Sequence, residues 1–469
     1  MSVFSRPSEW RLPVIKRNEV DLRIVPLGFL TLIVVGTVLL VLPWAHQKGH
    51  SLGFIDAFFV ATSATCVTGL SPVDVSATFS FFGQTVLLAL IQLGGLGIFT
   101  GTILLALLGN SRLSVSDEQT IQATVGKLRE ARPLDVFIYS CVLVFLFELA
   151  GAVILFLFST EFSPTQSVWQ NLWESLFHSV SAFCNAGISI YPEGMARWKT
   201  HPAVLFLIML LVIAGGIGLM TFINLRFFYF WRKDRRRRGY LTLQTRLVLL
   251  TTFFLLVAGT ILSLSFEQEN TLKGVQGWDN LWFSLFHSTM TRTAGFNVVD
   301  ISGMNPPTLL GTLLLMFIGG SPGSMAGGIK TVTFIILILT AWNALRRREE
   351  IQFFGRRIPK KMIGIAIMIA LLAFAFVVIG VGLLMITENN QGSLHTPQHW
   401  LGLVFEAISA FGTVGLSTGV TPLLTMTGKC IIIALMFVGR VGPLVLSVYL
   451  ARPANLQHVR FPKEELSLG

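Results

Sequence analysis

Charge is what this 469-residue chain has least of: acidic and basic side chains together make 13% of it, about half the share of an ordinary soluble domain. A chain solvated by water throughout is thereby excluded. Cysteine is scarce too, and Cys66, Cys141, Cys184 and Cys430 offer no Cys-x-x-Cys spacing and no nearby His pair, which speaks against a disulfide framework or a structural metal site. No His-Glu-x-x-His occurs, nor paired carboxylates with a base at fitting spacing, so an intramembrane hydrolase lacks its nucleophile and base. The first 23 residues hold five basic side chains, and no small-residue cleavage site precedes the first apolar run. A cleavable signal peptide is not expected, and the amino terminus is expected to stay in the cytoplasm.

What the chain has instead is long apolar runs. Ile24 to Pro43, Val136 to Phe158, Ala203 to Phe230, Leu247 to Phe266, Met362 to Ile386 and Cys430 to Leu450 each reach the roughly 20 residues that cross a bilayer as helix. The net charge of +11 would suggest nucleic acid if it formed one soluble patch. Its distribution argues otherwise. Lys and Arg gather in the first 24 residues and in 110–134, 226–246, 346–361 and 452–469, which hold 27 of the 35, as the positive-inside rule demands of cytoplasmic segments. With both termini and three linkers inside, eight crossings are expected. The runs Arg232–Arg238 and Arg346–Arg348 read as topology anchors, with lipid contact as an added role.

Between the basic linkers one pattern recurs four times: a long apolar helix, a short semi-polar helix, a turn with glycine, and a second long helix. The short helix and turn read DAFFVATSATCVTGLS (56–71), ESLFHSVSAFCNAGIS (174–189), FSLFHSTMTRTAGFN (283–297) and FEAISAFGTVGLS (405–417). Gly69, Gly187, Gly295 and Gly415 are 118, 108 and 120 residues apart, a spacing that suits whole membrane hairpin units. The short helices are too short and polar to cross again, so they are expected to dip in and return. Irregular backbone at membrane depth is tolerated only where protein or water satisfies it, and four such turns meet most economically around one aqueous path. The C-terminal, partially negative ends of the short helices then favour a cation.

The expected fold is an all-α membrane protein of four pseudo-symmetric M1-P-M2 repeats, eight transmembrane helices plus four re-entrant pore helices around a central pore. The segments are 1–23 cytoplasmic amino terminus, 24–110 repeat 1, 111–134 linker, 135–231 repeat 2, 232–245 basic linker, 246–345 repeat 3, 346–360 basic linker, 361–452 repeat 4 and 453–469 tail. The expected selectivity filter is Val67, Thr68 and Gly69; Asn185, Ala186 and Gly187; Thr293, Ala294 and Gly295; and Thr413, Val414 and Gly415. Backbone carbonyls replace a cation's water without trapping it, and glycine reaches the dihedrals that aim them.

Each second helix carries glycine at a matching depth, Gly94-Gly95, Gly215-Gly216, Gly319-Gly320 and Gly439. Close helix packing explains the first two. In the third, Gly319, Gly320, Pro322, Gly323, Gly327 and Gly328 cannot remain regular helix, so a loop over 319–328 is expected just inward of the filter, where it obstructs the path. Lys330-Thr331 after these glycines is no phosphate-binding loop, because Ile329 intervenes and no parallel sheet surrounds it. Arg440 stands in apolar sequence, where a central Arg costs roughly 2.5–3.5 kcal/mol on insertion scales. It is expected to face the path, repelling cations or pinning the loop through carbonyls. Asp56, Glu174 and Glu406 are read as caps or packing residues, and His178 and His287 as packing against neighbouring helices.

The turns, with GGSPGSMAGGIKT (319–331) and GRVGPL (439–444), resemble the Trk/Ktr/HKT superfamily of K+ transporters, and within it the KtrB-type pore-forming subunit, over nearly the whole chain. Larger Trk-type members have an extra amino-terminal helix pair, for which no room is expected here. The resemblance implies a homodimer beneath which a soluble, RCK-type (KtrA-like) ring docks on the cytoplasmic face, the nucleotide being bound by that partner and not by this chain. It implies K+ as the transported ion, with all four filter glycines present where some plant relatives carry Ser at the first and favour Na+; Na+ remains a possible activator. It also implies that 319–328 is the gating loop, with Arg440 the pore arginine, and that the tail helps hold the dimer. A Na+-selective or ATPase-associated pore and a secondary solute transporter remain as alternatives, the last disfavoured because the four units run parallel.

Overall fold

The computed structural model describes residues 24–108, 133–162, 167–233, 241–275, 277–348, 350–389 and 397–451. The expected cytoplasmic segments 1–23 and 453–469, nearly all of the linker 111–134, and Arg235–Arg238 lie outside these residues. Helices in order are α1 (Ile24–Val41), α2 (Phe54–Thr65), α3 (Val75–Thr78), α4 (Phe81–Leu108), α5 (Pro133–Phe162), α6 (Val168–Phe183), α7 (Pro202–Ile217), α8 (Leu219–Lys233), α9 (Leu243–Glu267), α10 (Trp278–Met290), α11 (Pro306–Phe317), α12 (Thr331–Leu345), α13 (Lys360–Glu388), α14 (Pro397–Gly412) and α15 (Met426–Ala451).

Proline opens several of them. Pro202 and Pro306 sit in the first turn of α7 and α11, where the missing N–H would have had no partner anyway. The Thr242 hydroxyl caps α9 by accepting from the Thr245 N–H. The long helices are apolar on every side, which fits helices with lipid on one face and protein on the other. Leu146 on α5, Phe253 on α9 and Phe374 on α13 point outward and exposed. Among the described residues four helices are long and apolar enough to cross a membrane, Ile138–Thr160, Leu243–Glu267, Lys360–Glu388 and Met426–Pro443. Shorter apolar helices include Val25–Val41, Phe81–Gly97, Pro306–Phe317 and Thr331–Leu345.

Two features depart from the sequence reading. The apolar run from Ala203 to Phe230 is not one helix: α7 stops at Gly218, whose φ is +91°, and α8 leaves at 88°. The reason is the segment between α11 and α12, which inserts at the break. The last carbonyls of α7, left without partners in their own helix, accept from that segment, Gly216 from the Ser321 N–H at 3.0 Å and Gly215 from the Met325 N–H at 3.2 Å. The Leu219 N–H in turn donates to the Gly323 carbonyl. The basic linker at 346–360 also contains a small antiparallel hairpin, Gln352–Phe353 against Arg356–Arg357, turned through Phe354 and Gly355 at positive φ.

The packing of helices closes a circuit. The short helices α2, α6 and α14 pack against both the preceding and the following long helix of their own quarter, and α10 against the preceding α9. Across quarters, α4 meets α6, α7 meets α10, α11 meets α14 and α15 returns to α2. Each second helix therefore lies against the next quarter's short helix, and the fourth against the first.

Candidate functional site

Where each short helix stops, the chain enters the left-handed region. Val67, Asn185, Thr293 and Thr413 have φ of 56°, 61°, 68° and 50°, and the glycines two residues on, Gly69, Gly187, Gly295 and Gly415, have 98°, 65°, 71° and 89°. Three of those first residues are β-branched, for which this conformation is an outlier, at about 1–3 kcal/mol each. Their surroundings must impose it. Backbone N–H groups of the turns reach back into the short helices: Thr68 to the Ser63 carbonyl at 2.8 Å, Ala186 to Ser181 at 2.7 Å, Ala294 to Met290 at 3.1 Å and Val414 to Ser409 at 2.8 Å. The glycine N–H is held as well, Gly69 by the Ser63 hydroxyl and Gly415 by the Ser409 hydroxyl. Among the described residues no backbone N–H donates to the carbonyls of the twelve turn residues. Ten of the twelve backbone N–H groups, all but those of Gly187 and Thr293, are thus turned back into the short helices, while the carbonyls accept from none.

The four turns touch one another in sequence. A Cβ on Gly69 would stand 2.5 Å from the Ala186 carbonyl oxygen, one on Gly187 would strike that of Ala294, one on Gly295 would stand 2.5 Å from that of Val414, and one on Gly415 would strike that of Thr68. Only glycine permits this approach. Eight of the twelve residues read from the sequence as filter thus meet in one closed ring of backbone, and the other four, Val67, Asn185, Thr293 and Thr413, open the turns.

The second-helix glycines support this ring from behind. A Cβ on Gly94, Gly215 or Gly439 would collide with the carbonyl of Thr65, Phe183 or Phe411, in each case at the end of a short helix. Gly319 differs, because its quarter's second helix ends at Phe317 and the chain leaves helix until Thr331. The loop's neck is paired, with Gly319 N–H donating to the Ile329 carbonyl at 2.8 Å and Thr331 N–H to that of Gly320 at 3.0 Å. Its far side rests on the fourth turn, where a Cβ on Gly327 would meet the Thr413 side chain and one on Gly328 would lie 3.3 Å from the Gly412 carbonyl. Gly320 and Gly323 face the break in α7 and α8, beside the carbonyl of Gly216 and Gly218 itself. Arg440, 2% exposed, donates to the Met325 carbonyl of the loop and, at 3.0 Å, to that of Gly94. Lys330 donates to the Ala326 carbonyl.

The residues read as caps divide. Asp56 does lie in the first turn of α2, and its carboxylate pairs with Lys429 at 2.7 Å. Glu174 lies within α6, accepting from Gln170 at 2.9 Å with Arg197 at 3.7 Å. Glu406 is no cap: fully buried inside α14, it accepts from Ser417, the Thr418 N–H and Thr421, and so ties down the segment after the fourth turn. His178 does the same for the second turn, its ring bonded to Ser189 at 2.9 Å and stacked on Tyr191. His287 packs as expected, bonded to Thr312 of α11 at 3.0 Å. Two groups escaped the sequence reading. One is the serine six residues before the glycine in three turns, Ser63, Ser181 and Ser409, whose recurrence was visible. The other is the buried set of Glu148, Gln92 and Cys184 behind the second turn, whose members come from three helices and share no spacing.

A helical membrane protein with a ring of unpaired carbonyls at its centre belongs to a class that handles cations in the bilayer. The sequence profile described as TrkH, cation transport protein, matches residues 17–458, and the chain belongs to that family. It is 36% identical to the Ktr system potassium uptake protein B of Bacillus subtilis, over 95% of this chain and 96% of that one. It is 33% identical to the protein of the same name from Vibrio alginolyticus over the full length of both. Potassium/sodium uptake protein NtpJ of Enterococcus hirae is 32% identical over 97% of this chain and 98% of its own. In fold it is similar to the potassium transporter TrkH from Vibrio parahaemolyticus, with a TM-score of 0.68 at 18% identity, covering 94% of this chain and 86% of that one.

Proposed function

We propose that this chain is the pore-forming subunit of a K+ uptake system in the cell membrane, built as four M1-P-M2 repeats with eight crossings, four re-entrant helices and both termini in the cytoplasm. The observation that carries the reading is the closed ring of four turns, ten of whose twelve N–H groups are bonded back into the short helices while no backbone N–H donates to their carbonyls. Such a ring offers a dehydrating cation only carbonyl oxygen, with four helix C-termini behind it. Anions would find few N–H donors there. Val67 to Gly69, Asn185 to Gly187, Thr293 to Gly295 and Thr413 to Gly415 act as the filter. The loop 319–328, held by Arg440, acts as the gate. Relatives named for K+ uptake support the choice of ion. Their description as parts of a Ktr system supports a second subunit, here read as a cytoplasmic nucleotide-binding ring of RCK type beneath a homodimer.

Purified chain in liposomes, with and without such a ring, tests the reading. Rb+ and K+ uptake should appear, exceed Na+ uptake, and rise when the ring and its nucleotide are added. The relative named for both K+ and Na+ gives the second reading, a pore that also passes Na+; competition among Na+, Rb+ and Cs+ separates the two. Absence of any monovalent cation flux under all these conditions would overturn both.

A further inference from the structure

The position just before each turn holds Cys66, Cys184, Arg292 and Gly412. Three are small or apolar, and the fourth is a cation. That cation stands in the quarter whose second helix gives way to the loop 319–328. Arg292 is 6% exposed and donates from Nη2 to the Gly319 carbonyl at 3.0 Å and from Nη1 to that of Ile318 at 3.4 Å. These carbonyls are the ones freed when α11 ends, since past Phe317 no further helical turn returns to them. The guanidinium thus joins the residue before Thr293 to the neck of the loop.

We propose that Arg292 is a positioning residue that couples the loop to the ring, so that withdrawal of the loop changes ion discrimination as well as flux. The inference rests on the filter and gate reading above. If the neck moves, the guanidinium either follows it or is left buried with unpaired donors, and an uncompensated buried charge is the dearer outcome. Following it shifts the backbone at Arg292. The next residue, Thr293, is β-branched and held at φ 68°, a strained conformation that persists only while its surroundings enforce it. Arg440 makes a useful contrast: it donates to Met325 in the loop and Gly94 on α4, neither of which is a turn residue. It anchors the loop without holding the ring.

The test compares Arg292→Gln, Arg292→Lys and Arg440→Gln in full-length protein reconstituted in liposomes, reading Rb+ and Na+ uptake separately. Arg292→Gln should raise basal Rb+ flux and also lower the Rb+/Na+ ratio by about threefold or more. Arg292→Lys, which keeps the charge without the two-pronged geometry, should move both readouts in the same direction by less. Arg440→Gln should raise flux and leave the ratio unchanged. A change in flux alone, in ratio alone, or in neither for the Arg292 variants overturns the coupling. If Arg292→Gln is not recovered folded, Arg292→Lys decides by the same criteria. Absence of cation flux from the unaltered chain would instead strike the pore reading itself.

Discussion

At the scale of single residues the central fact is that backbone approaches backbone. Gly69 lies at φ +98°, with the Ala186 carbonyl where its Cβ would stand. Gly69→Ser therefore adds strain of about 1–3 kcal/mol and displaces a carbonyl of the neighbouring turn. The K+/Na+ uptake ratio in liposomes should fall by about tenfold, with Na+ flux rising in absolute terms. An unchanged ratio would mean that this carbonyl does not coordinate the ion. The helix glycines make a second, independent prediction. Gly439 is pressed against the Phe411 carbonyl, whereas Gly97 meets only the Phe29 ring at 3.5 Å. Gly439→Ala should lower stability by about 1–3 kcal/mol, because a backbone atom cannot step aside. Gly97→Ala should be neutral or slightly stabilising. Thermal unfolding in detergent reads both.

At the scale of elements, the loop 319–328, proposed above as the gate, is held in place by its neighbours. Its bonds come from several places: Gly215 and Gly216 on α7, Arg292 before the third turn, and Arg440 on α15. None belongs to the ring's own carbonyls, so replacing residues 320–327 by a shorter linker should raise Rb+ flux by about tenfold or more, the ring's preference surviving if Arg292 is left its partners at Ile318 and Gly319. Flux equal to that of the unaltered chain would remove the loop as a gate. This loop was legible, because six Gly and Pro residues within ten leave no alternative to a break. The four turns were legible through their matching depth. The bend at Gly218 was not, since one more glycine in an apolar run carries no signal and the cause lies about a hundred residues away, in the loop that wedges it. Nor was the left-handed first residue of each turn. Val, Asn and Thr share no chemistry, and the conformation is imposed by N–H groups bonded back and by the neighbouring turn. For Glu406, read as a cap or a packing residue, the particular partners at 417–421 were not legible for a related reason: they come to it only once the chain has turned back.

At the scale of the whole molecule, stability depends on closing the circuit of quarters, because each second helix leans on the next quarter's short helix. The contact between α15 and α2 joins the two ends of the chain, and it carries an ion pair: Lys429 Nζ lies 2.7 Å from Asp56 Oδ1, with side chains 15% and 26% exposed. Burial of that degree places the pair between a surface bridge, worth about 0–1 kcal/mol, and a fully desolvated one, whose halves are costly to orphan. Both Asp56→Asn and Lys429→Met should therefore lower unfolding stability, the lysine change by more if it leaves the carboxylate without a cation. In the double variant the losses should fall short of additive by about 0.5–2 kcal/mol. The exchange Asp56→Lys with Lys429→Asp should recover part of the difference, although Asp56 lies at an N-terminus that favours an acid. Strict additivity would show that helix packing alone closes the circuit and that the pair merely decorates the seam.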